Sequence, residues 1–138
     1  MKKKLSIASL LLVIILALCA LSACSEKQAE PVVMNTAGTE YVITEESTLK
    51  GYMDYLVDKG ELEYTYSEGT FGAFIESVNG VANTTKSYWM IYTDDAENSS
   101  TEFGSYDYDG TILGSANYGI SDMPLKENTL YVLVYQTF

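Results

Sequence analysis

Two five-residue runs constrain this chain more than any other feature. Tyr88-Trp89-Met90-Ile91-Tyr92 and Tyr131-Val132-Leu133-Val134-Tyr135 are apolar or aromatic at every position. Successive side chains of a strand point to opposite faces, so such runs need cover on both sides and read as central strands rather than edges. Four segments share this β-rich character: Leu62 to Tyr66, Thr70 to Val78, Ser87 to Thr93 and Leu130 to Thr137. Asn79-Gly80 tolerates positive φ at both centres of a tight hairpin turn, and Asn83-Thr84-Thr85 is the alternative place for that reversal. From Asp94 to Asp122 the chain is rich in Gly, Ser, Asn and Asp. It reads as a long loop with a short strand at Thr111-Ile112-Leu113.

A helical period occurs once. Leu49, Met53, Leu56 and Val57 stack on one helical face, Ser47 or Thr48 offers an N-cap, and Lys59-Gly60 closes the segment. Gly51 inside it costs up to about 1 kcal/mol against Ala, so this helix must be packed to persist. Ahead of it, Tyr41-Val42-Ile43-Thr44 reads as a first strand that breaks at Glu45-Glu46.

The N-terminus has a different character. Lys2, Lys3 and Lys4 precede an apolar run from Leu5 to Ala20, and small residues then lead to Leu21-Ser22-Ala23-Cys24. This order reads as an export signal rather than a retained transmembrane helix, because the flank Ser25-Glu26-Lys27-Gln28 carries no charged stop-transfer cluster. The Leu-Ser-Ala-Cys ending resembles the lipobox of bacterial lipoproteins. That resemblance implies diacylglyceryl attachment at Cys24 and cleavage before it, placing the protein in the bacterial cell envelope, lipid-anchored and facing outside the cytoplasm. The expected organisation is a signal peptide at 1–23, a flexible tether at 24–39 and one small domain at 40–138.

Composition narrows the chemistry. All 12 Tyr, 4 Phe and the single Trp follow Glu40, enough aromatic mass to build a small core. Loss of the leader removes three of eight lysines and none of 19 acids, so the whole-chain charge of −11 becomes −14, and there is no arginine. Such a balance argues against nucleic acid, whose phosphates need clustered cations. With Cys19 in the leader and Cys24 committed to lipid, the mature fold has no disulfide and no Cys-type metal site. It has no His either, so the commonest general base is missing, no catalytic residue is assigned and no enzyme activity or cofactor is expected. Asp94-Asp95 and Asp107-Tyr108-Asp109-Gly110 read as turn-forming residues rather than metal ligands, since the distal Glu of a calcium loop is missing. Trp89 sits mid-strand, where core packing is the commoner fate than a stacking platform. Tyr106, Tyr108 and Tyr118, spaced along the polar loop, are the candidate ligand contacts; the other reading is that they pack over the sheet edge.

The succession of a strand, a Thr48-Leu49 helix, Gly69-Thr70-Phe71, a Ser77-Val78-Asn79-Gly80-Val81 turn, a Tyr88-Trp89-Met90 strand and Pro124-Leu125-Lys126-Glu127-Asn128-Thr129-Leu130 resembles the transcobalamin-like C-terminal domain family. The likeness spans about Glu40 to Phe138, anchored by Tyr88-Trp89 and Tyr118-Gly119-Ile120-Ser121-Asp122; Glu127-Asn128 stands where many members have Gly-Asp or Gly-Glu. It implies an α+β, β-grasp-like fold, a mixed four- to five-stranded sheet packed on one α-helix. It also implies capture of a small amphipathic, corrinoid-like ligand, or assistance to a membrane transporter component. In the carriers a helical barrel completes the site, and that barrel has no counterpart in this sequence. The alternative function is a surface adhesion or assembly module that binds another envelope protein and no small ligand.

Overall fold

The two all-apolar runs lie side by side. In the computed structural model, which describes residues 29–138, Ser87–Thr93 (β5) and Leu130–Thr137 (β8) pair antiparallel along their whole lengths, from Ser87↔Thr137 to Thr93↔Tyr131. Residues 1–23, expected to be a signal peptide, and Cys24 lie outside the described residues. Val32–Asn35 (β1) covers the outer edge of β8, with Val32 opposite Leu133. On the far side stands a hairpin of Ser99–Tyr108 (β6) and Thr111–Ala116 (β7). The first sheet is therefore five-stranded in the order β1-β8-β5-β7-β6. A second sheet contains Tyr64–Gly69 (β2), Gly72–Val78 (β3) and Val81–Ala82 (β4) in that order. Among the described residues one helix, Leu49–Asp58 (α1), completes a mostly β, α+β fold.

Each strand pair named above is antiparallel, which corrects the expectation of one mixed sheet. The reason lies in the connections. Thr70-Phe71, Asn79-Gly80 and Asp109-Gly110 are two-residue reversals, and loops that short join only antiparallel neighbours; a parallel pair needs a crossover of a dozen residues or more. Asn79 and Gly80 take φ of 47° and 81°, and Asp109 and Gly110 take 51° and 83°. Positive φ at both centres is the type I′ pattern that matches strand twist.

Three further expectations need correction. The tether assigned to 24–39 contains β1, whose Met34 is buried in the core, so the fold begins well before Glu40. Thr36 then locks this edge, its hydroxyl donating to the Lys126 carbonyl at 2.6 Å and accepting from the Thr129 amide at 2.9 Å. Tyr41 to Thr44 is not a strand, because β1 already occupies the edge of β8 that it would need. Tyr41 packs instead on the rings of Tyr52 and Tyr55 at 5.5 and 5.1 Å. The long loop from Asp94 to Asp122 holds the β6–β7 hairpin, in which the strand expected at Thr111 runs on to Ala116.

Thr48 caps α1 as anticipated, its hydroxyl accepting from the Gly51 amide at 3.3 Å. A side chain on Gly51 would begin 2.9 Å from the Tyr41 hydroxyl, so the tyrosine would have to shift to admit one. Leu49 and Met53 are fully buried, each contributing about 1.5–3 kcal/mol of apolar burial. With Ile75, Val78, Trp89, Tyr131 and Leu133 they form the main core, between α1, the second sheet and one face of the first. The opposite face of the first sheet, with Tyr92, Val132 and Val134, is covered by Leu113, Tyr106 and Tyr108 of the hairpin. Both faces of β5 and β8 are thus covered, as their composition demands.

Candidate functional site

The ladder between β5 and β7 spans only Tyr92↔Ser115 and Thr93↔Gly114, leaving the edge of β5 from Trp89 to Ile91 without a paired strand. β3 is likewise short of partners, because β4 reaches only Ser77 and Val78. These two incomplete edges face one another across the seam between the sheets. Asn83 pins one end. Its side-chain amide donates to the Ile75 carbonyl at 2.7 Å, and its side-chain oxygen accepts from the Trp89 amide at 3.0 Å. Ser121 pins the other end, its hydroxyl accepting from the Ala73 amide at 2.6 Å.

Between the pins lies a cleft of about 290 Å³, walled by Ala73 to Ile75, Trp89 to Ile91 and the Ser115 to Ile120 segment. Its volume falls at the small end of ordinary ligand sites, roughly 300–1,000 Å³. Trp89 supplies the floor: it is 5% exposed, and its indole N–H donates to the Val81 carbonyl at 2.8 Å. Gly119 lets the wall close in, since a side chain there would begin 3.3 Å from the Ala73 carbonyl oxygen. At the mouth, Phe74 and Tyr118 are about half exposed, and the tip of the β2–β3 turn presents Phe71 at 92% exposure. The Phe71 carbonyl lies 4.0 Å from the same Gly119 position, so the turn stands beside the cleft.

Of the three tyrosines expected to contact ligand, only Tyr118 is at this cleft. Tyr106 and Tyr108 lie together on β6, half-buried against the second apolar cluster, with the Tyr106 ring 5.8 Å from that of Tyr92. Tyr106 also borders a separate groove beside Lys86, Gln136 and Phe138. The structure thus divides the three between opposite sides of the first sheet. Trp89 is a core residue that also lines the cleft, which combines both of its sequence readings.

Phe71 and Phe74 were missed, although Phe71 carried a signal. A large apolar residue in a two-residue hairpin loop between Gly69 and Gly72 has no core within reach. Phe74 carried none, because alternation alone does not say which face of β3 is outward.

The acidic pairs behave as structural groups. Asp107 accepts from the Gly110 amide at 2.9 Å within its turn, and Asp94 accepts from the Leu130 amide at 2.9 Å. Asp95 is buried. Burial alone would raise its pKa, but hydrogen bonds from Asn98 at 2.7 Å and Lys126 at 2.9 Å outweigh that and hold the carboxyl below its ordinary value. Lys126 also pairs with Glu97, and these two carboxylates raise the ammonium pKa. Among the described residues no group of three or more His, Cys, Asp or Glu is arranged to hold a metal ion. Among them, too, no helix is long and apolar enough to cross a membrane.

No family model matches the chain, and no curated protein matches it.

Proposed function

We propose that this chain is a lipid-anchored extracytoplasmic binding module, held to the membrane through Cys24, that captures a small amphipathic ligand in the cleft between its two sheets. One observation carries the reading: Phe71, Phe74 and Tyr118 stand exposed around an apolar cleft that the strand ladders leave open. Aromatic rings are costly to leave in water, and contiguous exposed apolar surface marks binding sites. The transcobalamin-like, β-grasp-like likeness makes a corrinoid the first ligand to try, and a membrane transporter the partner that would receive it. A cleft of about 290 Å³ admits one edge of so large a molecule, so a companion protein would complete the enclosure. The reading assigns no catalytic role.

The chain's single tryptophan lies in the cleft wall, so its emission reports occupancy. Corrinoids added to the mature protein should change Trp89 emission and release heat in calorimetry, and Phe74→Ala should weaken both responses. Absence of any response to a broad panel of corrinoids and other amphipathic cofactors would reject the proposal. Anchoring is tested separately: Cys24→Ser should move the protein from the membrane fraction to the soluble fraction.

The second reading, an adhesion or assembly module, is favoured by Phe103, which is 80% exposed on edge strand β6. Crosslinking through position 103 to one envelope protein, with no small ligand bound, would support it.

A further inference from the structure

The backbone around the cleft says more than its walls do. We infer that the cleft takes its ligand through an uncharged open-chain secondary amide, the peptide unit of a short extended segment, held between the two strand edges. This rests on reading the cleft as a ligand site.

Alternation decides which backbone groups face the seam. The Phe138 amide donates to the Lys86 carbonyl at 2.8 Å, so the even-numbered residues of β5 turn toward β8, and Trp89 and Ile91 turn the other way. The Trp89 amide agrees, since it reaches Asn83. On β3 the Ala73 amide goes to Ser121 and the Ile75 carbonyl receives Asn83, so both residues face the seam while Phe74 turns toward β2. Between the pins each edge is left with one acceptor and one donor: the Ala73 carbonyl and Ile75 N–H on β3, the Trp89 carbonyl and Ile91 N–H on β5. Gly119 stands against the Ala73 carbonyl. Beside Asn83, the Ile75 N–H and the Trp89 carbonyl have no ladder, loop or side-chain partner among the described residues. Both residues are buried, and buried backbone groups are seldom left unpaired.

Asn83 shows what fits there. Its carboxamide spans the seam as a peptide unit would, donating to β3 and accepting from β5. Successive peptide units of a strand alternate in direction, so the next unit would accept from β3 and donate to β5. A secondary amide seated beside Asn83 does this, with its C=O accepting from the Ile75 N–H and its N–H donating to the Trp89 carbonyl. The result is strand addition in miniature. At about 3.3 Å per residue the open edge from Ala73 to Ile75 is roughly 7 Å long, room for two or three residues and not for a full strand. Among the described residues no charged side chain lines the cleft, which suits a neutral amide. Phe74 and Tyr118 at the mouth suit an apolar group beside it.

Four uncharged probes with a phenylethyl body isolate the amide: N-acetylphenylalanine N-methylamide, N-(2-phenylethyl)acetamide, the N-methyl derivative of that acetamide, and 2-phenylethyl acetate. The first two carry an amide N–H; the last two keep the carbonyl and lack the donor. Titrations of the mature protein would follow Trp89 emission and the backbone amide shifts of Ile75, Tyr118 and Gly119. The secondary amides should bind roughly tenfold tighter than the other two, which leave the Trp89 carbonyl unpaired. Their affinities should change less than about twofold between about 0.05 and 0.5 M salt, because no ion pair is made. The Ile75 amide proton should move downfield and exchange more slowly at saturation. Tighter binding of N-acetylphenylalanine N-methylamide than of the acetamide would assign a peptide, and equal binding a single amide; both support the inference. Equal binding of all four probes, or binding that leaves the Ile75 amide unchanged, would overturn the amide inference and leave the ligand-site reading standing. So would silence from all four where a corrinoid binds. No response to the probes or to the corrinoid panel would overturn both.

Discussion

Asn83 joins the two sheets with one side chain. Its amide donates to Ile75 in β3 and accepts from Trp89 in β5, while its backbone N–H reaches the Glu76 carbonyl at 2.8 Å. Asn83→Ala would strip partners from a carbonyl and an amide at the seam, at about 1–3 kcal/mol. Asn83→Asp should also destabilise at neutral pH, because it keeps the acceptor for Trp89 but sets a carboxylate oxygen against the Ile75 carbonyl. Urea unfolding of both variants checks this, with the loss expected in the midpoint rather than the slope. Asp95 makes a prediction of opposite dependence on pH. Its folded pKa is depressed by Asn98 and Lys126 despite burial. Its contribution is therefore fully present above the unfolded carboxylate value, near 3.9, and is lost as pH falls through the lower folded value. Asp95→Asn should lower stability at pH 7 and flatten the decline below about pH 4. An unchanged acid limb in pH-dependent urea unfolding would contradict this account.

At the scale of elements, the hairpin reversals decide the topology. Gly110 has φ of +83° and open space around the position of a side chain, so Gly110→Ala tests backbone conformation alone. About 1 kcal/mol should be lost, a fall of about 5 °C in melting temperature. The helix, β5 and β8 were legible in the sequence because their signals are local: a 3.6-residue period with a Thr48 cap, and two runs apolar on both faces. The β6 strand was not legible. Its inward positions are Gly104, Tyr106 and Tyr108, and its register with β7 breaks between Ser100 and Ser105, so alternation is interrupted and the outward residues are those of a loop. Val32 to Asn35 escaped for a related reason. A four-residue edge strand after Pro31 has one buried apolar side chain, Met34, and only its pairing with β8 distinguishes it from a spacer. The same limit applied to the cleft: Tyr118 could be picked out as an aromatic in a polar loop, whereas its place with Phe74 at one cleft depends on how the two sheets approach.

For the whole molecule, the position of β1 decides where the folded domain begins. With the fold beginning at Val32, the tether expected at 24–39 would shorten to residues 24–31. The core depends on that strand. Met34 is 3% exposed, and Tyr131 and Leu133, its neighbours across the ladder on β8, are fully buried beside it. A chain beginning at Glu40 would lose the Met34 side chain, the four-residue ladder and the Thr36 bonds to Lys126 and Thr129. It would also expose the edge of β8, an apolar strand whose free backbone groups invite pairing with other copies. Loss of the Met34 burial alone approximates a large-to-small core change of about 2–5 kcal/mol, a large fraction of the stability of a domain this size. The expected outcome is a folded, monomeric protein when the chain starts at Ala29, and a molten or aggregating one when it starts at Glu40. Circular dichroism melts and light scattering on the two chains would separate these outcomes, and equal melting temperatures would return residues 29–39 to the role of spacer.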